Sequence, residues 1–268
     1  MDLDLDLDLD LDLDLDIMSQ NNNGIISEDG LKHNHYATQI QQIYRGLNYR
    51  NKRLPTVLYA VKRYLIENEF SYCKSNDDGR TNSCLDEKTI INLLRNMMGM
   101  HNRIYVPKKR SWYDISIKDY MYGWLPVNIK TTTTRTSDNV GNLSICVQAY
   151  INTELNLEKS YNNGELSEIL FKELNNKNYN RKKKKDYYFL VCNKNKKSEI
   201  IVNSVKGLTK LTPNLNNLPF QVCWHKNKCF EYKPIEDSIN DFIKVVQKPK
   251  LPWQQRFLKN MKELKQIK

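Results

Sequence analysis

Residues 112–130, WYDISIKDYMYGWLPVNIK, contain two short runs in which apolar and polar side chains alternate. The first run covers residues 113–117 and the second covers residues 125–130, with Gly123 between them. Alternation with a period of two is typical of β-strands, and a glycine between two such runs favours a turn. The stretch therefore predicts two paired strands, from which Asp114 and Lys130 project into one cleft.

The segments before this pair have helical periodicity. We predict a helix over residues 36–47, a second helix with Pro55 in its first turn, and a third helix capped by Ser83 or Asp86. The buried stripe of the third helix is predicted to consist of Ile90, Ile91, Leu93, Leu94 and Met97, with Gly99 near the end of the helix.

The segments after the pair alternate between helix and strand. Ser137 or Asp138 is predicted to cap a helix that continues to about residue 151, and a further helix covers residues 165–174. Two strands are predicted at 186–193 and 198–205, followed by an ordered loop over 207–220 and a short strand over 221–225. Helices over 235–246 and 253–264 close the chain, so the fold class is α/β, with a mixed central β-sheet flanked by helices.

The domain organisation follows from composition. Residues 1–24 comprise a Leu-Asp repeat and an Asn-rich stretch, which we interpret as a low-complexity, flexible tail. Residues 25–268 form a single domain, with a helical N-terminal part at 35–100, a core at about 101–230 and C-terminal helices at 234–266. No apolar run approaches the length of a membrane span and no signal peptide opens the chain, so we expect an intracellular, cytoplasmic protein with no membrane partner.

The charge of the chain is strongly positive. The formal net charge is +11, and residues 1–17 contribute eight aspartates with no Lys or Arg, so the remainder carries +19. A domain this basic is suited to binding a polyanion such as DNA, because neutralised phosphates release counterions. The alternative explanation, a Lys- and Asn-rich composition of an AT-rich genome, stays open.

A family resemblance rests on the arrangement of these residues. An Asp on one strand, then Asn-x-Lys on the next and a helix after it, resembles the PD-(D/E)xK nuclease core of type II restriction endonucleases. PVNIKT at 126–131, SDN at 137–139 and SVKGLTKLTPNLNNLPFQV at 204–222 are similar to restriction enzymes whose central motif is Asn-x-Lys. The resemblance covers roughly residues 112–257 and implies the restriction-endonuclease-like core within the mixed sheet.

The resemblance implies a Mg²⁺ site for phosphodiester hydrolysis. Asp114 and the backbone carbonyl of Ile129 would be metal ligands, and Lys130 would orient or help to deprotonate water and stabilise the transition state. Asn128 stands at the position of an acid, so the site needs another carboxylate. We choose Glu87 for this role, as a catalytic residue and metal ligand, with Glu67, Glu69 and Asp119 as competitors. Without the resemblance, the favoured explanation is that Asp114 accepts hydrogen bonds at the end of a sheet and that Lys130 is an ordinary edge lysine.

Contacts to DNA are predicted from two segments. In the block 206–221, Asn and Gln side chains are suited to adenine edges and Lys side chains to guanine. The candidates are Lys206, Lys210, Asn214, Asn216, Asn217 and Gln221. Lys183 and Lys184, in the basic run 181–185, are candidates for phosphate contacts. A rigid turn around Pro213 and Pro219, and a solvated loop at 181–185, are the structural alternatives.

These features predict a Mg²⁺-dependent, sequence-specific double-stranded DNA endonuclease of the type II restriction class. The resemblance further implies a homodimer that matches a palindromic site, and a separately encoded cognate DNA methyltransferase that protects the host in a restriction-modification pair. Two alternatives remain: a repair or recombination nuclease of the same fold, and a catalytically silent DNA-binding protein.

Overall fold

The computed structural model describes residues 53–68, 70–73, 79–97, 99–108, 111–141, 143–151, 161–176, 186–213, 220–245 and 252–266. Several predictions concern residues outside these ranges: the tail at 1–24, the helix at 36–47, and the side chains of Glu69, Lys183, Lys184, Asn214, Asn216 and Asn217. Those predictions, and the proposed division of the chain at residue 24, stay predictions.

Eight strands form two sheets in the described ranges. The strands are β1 Ile104–Tyr105, β2 Ile115–Asp119, β3 Gly123–Thr132, β4 Ser137–Gly141, β5 Tyr188–Asn193, β6 Ile200–Ser204, β7 Leu211–Pro213 and β8 Phe220–Cys223. The larger sheet has the order β1-β2-β3-β5-β6, and the smaller sheet has the order β4-β8-β7. In the larger sheet β3 and β5 are parallel, and every other neighbouring pair is antiparallel.

Six α-helices accompany these sheets in the described ranges. They are α1 Thr56–Glu67, α2 Gly79–Asn96, α3 Leu143–Tyr150, α4 Asn163–Asn175, α5 Ile235–Val245 and α6 Pro252–Gln266. Asn162 begins α4 with a capping box, in which its side chain accepts from the Glu165 N–H and Glu165 accepts from the Asn162 N–H. The predicted mixed α/β fold with a mixed sheet is confirmed, as are the helices at 165–174, 235–246 and 253–264. None of the helices in these ranges is long and apolar enough to cross a membrane.

The predicted strand pair is β2 and β3. They pair antiparallel, with Ile115 opposite Val127 and Asp119 opposite Gly123. Gly123 has φ of +73°, a conformation that glycine adopts without steric cost, so the chain reverses there. Along β3, Leu125, Val127 and Ile129 are buried, while the residues between them are half-buried, which is the alternation that identified the strand.

The β5 strand lies between β3 and β6 and is buried along its whole length. Its side chains join two hydrophobic clusters. Leu190 and Cys192 belong to the cluster that includes residues of α1 and α2, and Phe189 and Val191 belong to the cluster that includes residues of α3, α4 and the smaller sheet. The continuous apolar run 187–192 therefore predicted a strand covered on both faces correctly.

Two predicted helix caps are wrong. The helix α2 begins at Gly79, so Ser83 and Asp86 lie within it. The Ser83 hydroxyl lies 2.9 Å from the Thr131 hydroxyl, and buried Asp86 accepts a 2.7 Å hydrogen bond from the Cys73 N–H. These long-range partners explain why polar residues that are typical of caps occur inside a helix.

The assignment of residues 137–141 to a helix is also wrong. Ser137 and Asp138 belong to β4, which pairs antiparallel with β8, and the helix that follows begins only at Leu143. The partner strand lies more than 80 residues further along the chain, so local pattern did not reveal it. The predicted loop at 207–220 likewise contains a strand, β7, which pairs with β8.

Because β5 is buried on both faces, the packing of its side chains contributes strongly to the free energy of unfolding. We expect Leu190→Ala to lower the free energy of unfolding by about 2–5 kcal/mol, because Leu190 is fully buried and its truncation leaves a cavity. Urea unfolding measures the change. The matched control is Leu85→Ala at a residue that is 38% exposed on α2, which should change the free energy by less than about 0.5 kcal/mol. Equal effects of the two substitutions would contradict this placement of β5.

Candidate active site

Asp114 lies immediately before β2 and is fixed against β3 by two hydrogen bonds. Its backbone N–H donates to the Val127 carbonyl at 3.1 Å, and its Oδ2 accepts from the Ile129 N–H at 2.7 Å. In a strand, the N–H and C=O of one residue point to the same side. The Ile129 carbonyl therefore lies on the same side of β3 as the Asp114 carboxylate, as the predicted ligand role requires.

Asn128 and Lys130 share one face of β3, because side chains two residues apart in a strand point the same way. The Tyr187 hydroxyl donates its single proton to the Trp112 carbonyl at 2.6 Å, and it also has a hydrogen bond with the Asn128 side chain. The tyrosine must therefore accept from the Asn128 amide nitrogen. This contact fixes the orientation of the amide and directs its Oδ1 away from Tyr187.

The Oδ1 atom of Asn128 is buried and has no hydrogen-bond partner within the described part of the chain. A buried acceptor without a partner costs free energy of folding, so such atoms are rare in folded proteins. An unsatisfied acceptor beside Asp114 is expected where a ligand completes the site.

Glu87 is brought to the same place by α2. Burial, and after it the negative charges of Asp114 and Asp86, raise the pKa of the Glu87 carboxyl to about 7, and the positive charges of Lys130 and Lys194 oppose the shift. Glu87 therefore lies within electrostatic range of both Asp114 and Lys130. It is four residues after Ser83, on the same face of α2, and the Ser83 hydroxyl contacts Thr131, so this face of α2 packs against the end of β3.

The competing carboxylates that the structure describes have other partners. Glu67 is exposed on α1 and forms an ion pair with Arg63 at 2.8 Å. Asp119 is buried and accepts hydrogen bonds from three backbone N–H groups, of Val57, Met121 and Tyr122. Glu87 is thus the acid that the structure brings toward Asp114 and Lys130, whereas Glu69 lies outside the described ranges.

The donor set fits a hard divalent cation. Burial also raises the pKa of Asp114, and this is opposed by the Ile129 N–H and by Lys130, so both carboxylates are destabilised when ionised. Two carboxylates, an amide oxygen and a backbone carbonyl are all oxygen ligands, which suit Mg²⁺. In the described ranges, no group of three or more His, Cys, Asp or Glu side chains is placed to hold a metal ion. Two carboxylates suffice for Mg²⁺, because water and substrate phosphates supply its other ligands.

The candidate DNA contacts that the structure describes belong to a different region. The Lys206 ammonium lies 5.9 Å from the Tyr150 ring centroid, and burial lowers the pKa of Lys206 while neighbouring Asp186 opposes the shift. Lys206 therefore takes part in an internal charge pair. Lys210 is exposed beside β7, and Gln221 is half-buried on β8, so these two adjoin the smaller sheet. Their contact with DNA stays a prediction.

Two residues near the site were given other roles from the sequence. Tyr187 was interpreted only as core, and it is buried, yet its hydroxyl orients Asn128. Asp138 accepts from the Thr132 hydroxyl at 3.2 Å; burial raises the pKa of Asp138, and that hydroxyl and Lys130 oppose the shift. The placement of Asp138 follows from the pairing of β4 with β8, which no local pattern signals.

The raised pKa of Glu87 predicts a pH-dependent stability. Between about pH 4.5 and pH 7 the folded protein binds more protons at Glu87 than the unfolded chain does, so the free energy of unfolding falls as pH rises through this window. Glu87→Gln removes this contribution. We compare the free energy of unfolding of the variant with that of the unsubstituted protein, without divalent ions. After allowance for solvent screening, we expect this difference to be about 1 kcal/mol more favourable to the variant at pH 8 than at pH 5.

Urea unfolding at the two pH values, in the presence of a chelator, measures this difference. The control is Glu67→Gln, which removes a carboxylate whose partner is on the protein surface. A gain for Glu87→Gln that is the same at pH 5 and pH 8 would contradict the proposed environment of Glu87.

A scan against models of protein families and a search of curated proteins both found no match to this chain.

Proposed function

We propose that this chain is a Mg²⁺-dependent, sequence-specific double-stranded DNA endonuclease similar to type II restriction endonucleases. The observation that carries the proposal is that the Asp114 carboxylate, held by the Ile129 N–H where β2 diverges from β3, lies within electrostatic range of Glu87, as Lys130 does. The restriction-endonuclease-like core, the homodimer and the separately encoded methyltransferase belong to the same proposal. The basic charge of residues 18–268 supports a nucleic acid as the substrate.

The chemistry requires an activated water and neutralisation of the charge that develops on the phosphate. A bound Mg²⁺ supplies both by lowering the pKa of its water and polarising a phosphoryl oxygen. Asp114, Glu87 and the Ile129 carbonyl would hold the ion, and the Asn128 amide oxygen would add a neutral donor. The Asp114 carboxylate is already fixed by the Ile129 N–H, so little reorganisation accompanies binding.

Lys130 supplies a positive charge beside the two carboxylates. Its ammonium lowers the pKa of both Asp114 and Glu87, and so favours their ionised, ligand-competent forms. On the open side of the site the same ammonium would donate hydrogen bonds to the attacked phosphate and orient the attacking water. One side chain thereby organises the ligands and the substrate.

Digestion of unmethylated plasmid DNA with Mg²⁺ tests the proposal. We expect discrete fragments, and we expect Lys130→Ala to reduce the cleavage rate by about 10²–10⁴-fold, because its hydrogen bonds in the transition state are lost. Lys118→Ala is the control, since Lys118 is an exposed lysine on β2. The same fragments at an unchanged rate from Lys130→Ala would contradict the assignment of the site.

The alternatives predict different outcomes of this digestion. A repair or recombination nuclease would cut branched or damaged DNA and give no discrete fragments from plasmid. A catalytically silent DNA-binding protein would bind duplex DNA and leave it intact. Asn128 is the residue that keeps the silent protein as an alternative, because an amide binds Mg²⁺ more weakly than a carboxylate does.

The substitution Asn128→Asp examines this point directly. It adds a carboxylate where the buried Oδ1 atom has no partner, and the Tyr187 hydroxyl can turn its proton from the Trp112 carbonyl to the new group. We expect the affinity for Mg²⁺ in the absence of DNA to rise about tenfold, as measured by isothermal titration calorimetry at pH 8. Asn240→Asp on α5 adds the same charge elsewhere and should leave the affinity unchanged. Unchanged affinity in Asn128→Asp would contradict a role for this side chain at the metal site.

A further inference from the structure

The turn that joins β3 to β4, residues 133–136, contains an unusual backbone conformation. Thr134 has φ of +64°, and among the described residues no other residue except glycine has a positive φ. A β-branched residue is rarely found in this region, where the conformation costs about 1–3 kcal/mol. The rest of the structure must therefore hold Thr134 in place.

The anchors of Thr134 come from two other parts of the fold. Its carbonyl accepts from the His225 N–H at 2.9 Å. Its hydroxyl accepts from the Asn193 amide at 3.1 Å and donates to Glu199 at 3.3 Å. Glu199 also forms an ion pair with Lys228 at 3.2 Å. These contacts tie the 133–136 turn to the end of β5 and to the segment that follows β8, so the position of the turn is rigidly determined.

The 133–136 turn presents positive charge to solvent. Arg135 is exposed, and the bond between Thr134 and His225 places it beside His225 and Lys226, which are also exposed. The Thr133 and Thr136 hydroxyls lie 3.3 Å apart. Neither segment 131–137 nor segment 220–230 contains an Asp or Glu, so the charge of these two segments is of one sign.

The position of the turn relates it to Lys130. Thr132 lies on the same face of β3 as Lys130, and its hydroxyl accepts from the Thr134 N–H at 3.4 Å. Thr133 follows Lys130 by three residues, which is about 10 Å along a strand. Successive phosphates of one DNA strand advance about 3.4 Å along the helix axis. A DNA backbone that is bound beside Lys130 and follows the direction of β3 would therefore pass the turn.

We propose that the 133–136 turn and residues 225–226 form a phosphate clamp for the DNA backbone, with Arg135 as its principal anchor. This inference rests on the proposed function, in that it takes DNA as the substrate. Arg135 suits the role because its guanidinium is always charged and binds phosphate through two parallel hydrogen bonds. The anchored backbone at Thr134 fixes the backbone position of Arg135 before DNA binds, so the loss of conformational entropy on binding is smaller.

Fluorescence anisotropy with a labelled duplex tests the clamp. The measurement uses the full chain with Ca²⁺ in place of Mg²⁺, over a series of salt concentrations. We expect Arg135→Ala to weaken binding about tenfold and to reduce the slope of log affinity against log salt by about 1. Arg135→Lys should keep the slope and recover part of the affinity, because it keeps the charge and loses the bidentate geometry.

The matched control is Lys172→Ala, which removes an exposed positive charge from α4 and should change neither the affinity nor the slope by a comparable amount. Affinity and slope that are unchanged in Arg135→Ala would overturn the clamp. A protein that cuts plasmid DNA while Arg135→Ala binds normally refutes the clamp alone. A protein that binds DNA through Arg135 but never cuts supports the clamp and refutes the endonuclease. Absence of any duplex binding refutes both.

Discussion

The arrangement of the site depends on the divergence of β2 from β3 at Asp114. In the register of these strands Ile115 lies opposite Val127, so a longer β2 would pair residue 113 with Ile129 and use its backbone groups in the ladder. Instead the Asp114 carboxylate takes the Ile129 N–H at 2.7 Å. The Asp114 side chain thus takes the place of a backbone partner from β2. The Asp114 carboxylate and the Ile129 carbonyl therefore face the side of β3 that β2 no longer covers.

The same divergence admits α2. Ser83 contacts Thr131 beyond the last residue of β3 that pairs with β2, and Glu87 lies one turn further along the helix. Burying a second carboxylate within electrostatic range of Asp114 is unfavourable, and the pKa of Glu87, which burial and then the charge of Asp114 raise to about 7, expresses that cost. Groups that reduce stability in this way are typical of functional sites, where a ligand or substrate compensates them. The unsatisfied oxygen of Asn128 and the strained backbone at Thr134 are two further examples in the same region.

The sequence predicted the parts of the fold that depend on local pattern. The alternation in 112–130 identified β2 and β3, and the apolar run at 187–192 identified β5, because burial on one or both faces fixes those patterns. The predicted caps at Ser83, Asp86 and Asp138 were wrong for a common reason. The side chains of Ser83 and Asp86 have partners in other segments, Thr131 and the Cys73 N–H. Asp138 belongs to a strand that pairs with β8, and such distant interactions override local preference.

The sequence likewise predicted only those parts of the site that depend on local pattern. Asp114, Asn128 and Lys130 follow from the strand pair, and Glu87 was chosen among four acids only by its distance along the chain. The structure supports the choice of Glu87 over Glu67 and Asp119, because those two carboxylates have other partners. The orientation of Asn128 by Tyr187 and the anchoring of Thr134 were beyond sequence reasoning, because both require contacts between segments about 60 residues apart or more.

We propose that the oxygens around Asp114 form one divalent metal site. Crystals grown with Mn²⁺, which takes the same oxygen ligands as Mg²⁺ and scatters anomalously, allow the ion to be located directly. We expect an anomalous peak about 2.0–2.4 Å from carboxylate oxygens of both Asp114 and Glu87. Crystals of the same protein at saturating Mn²⁺ with no peak between these two residues would contradict it.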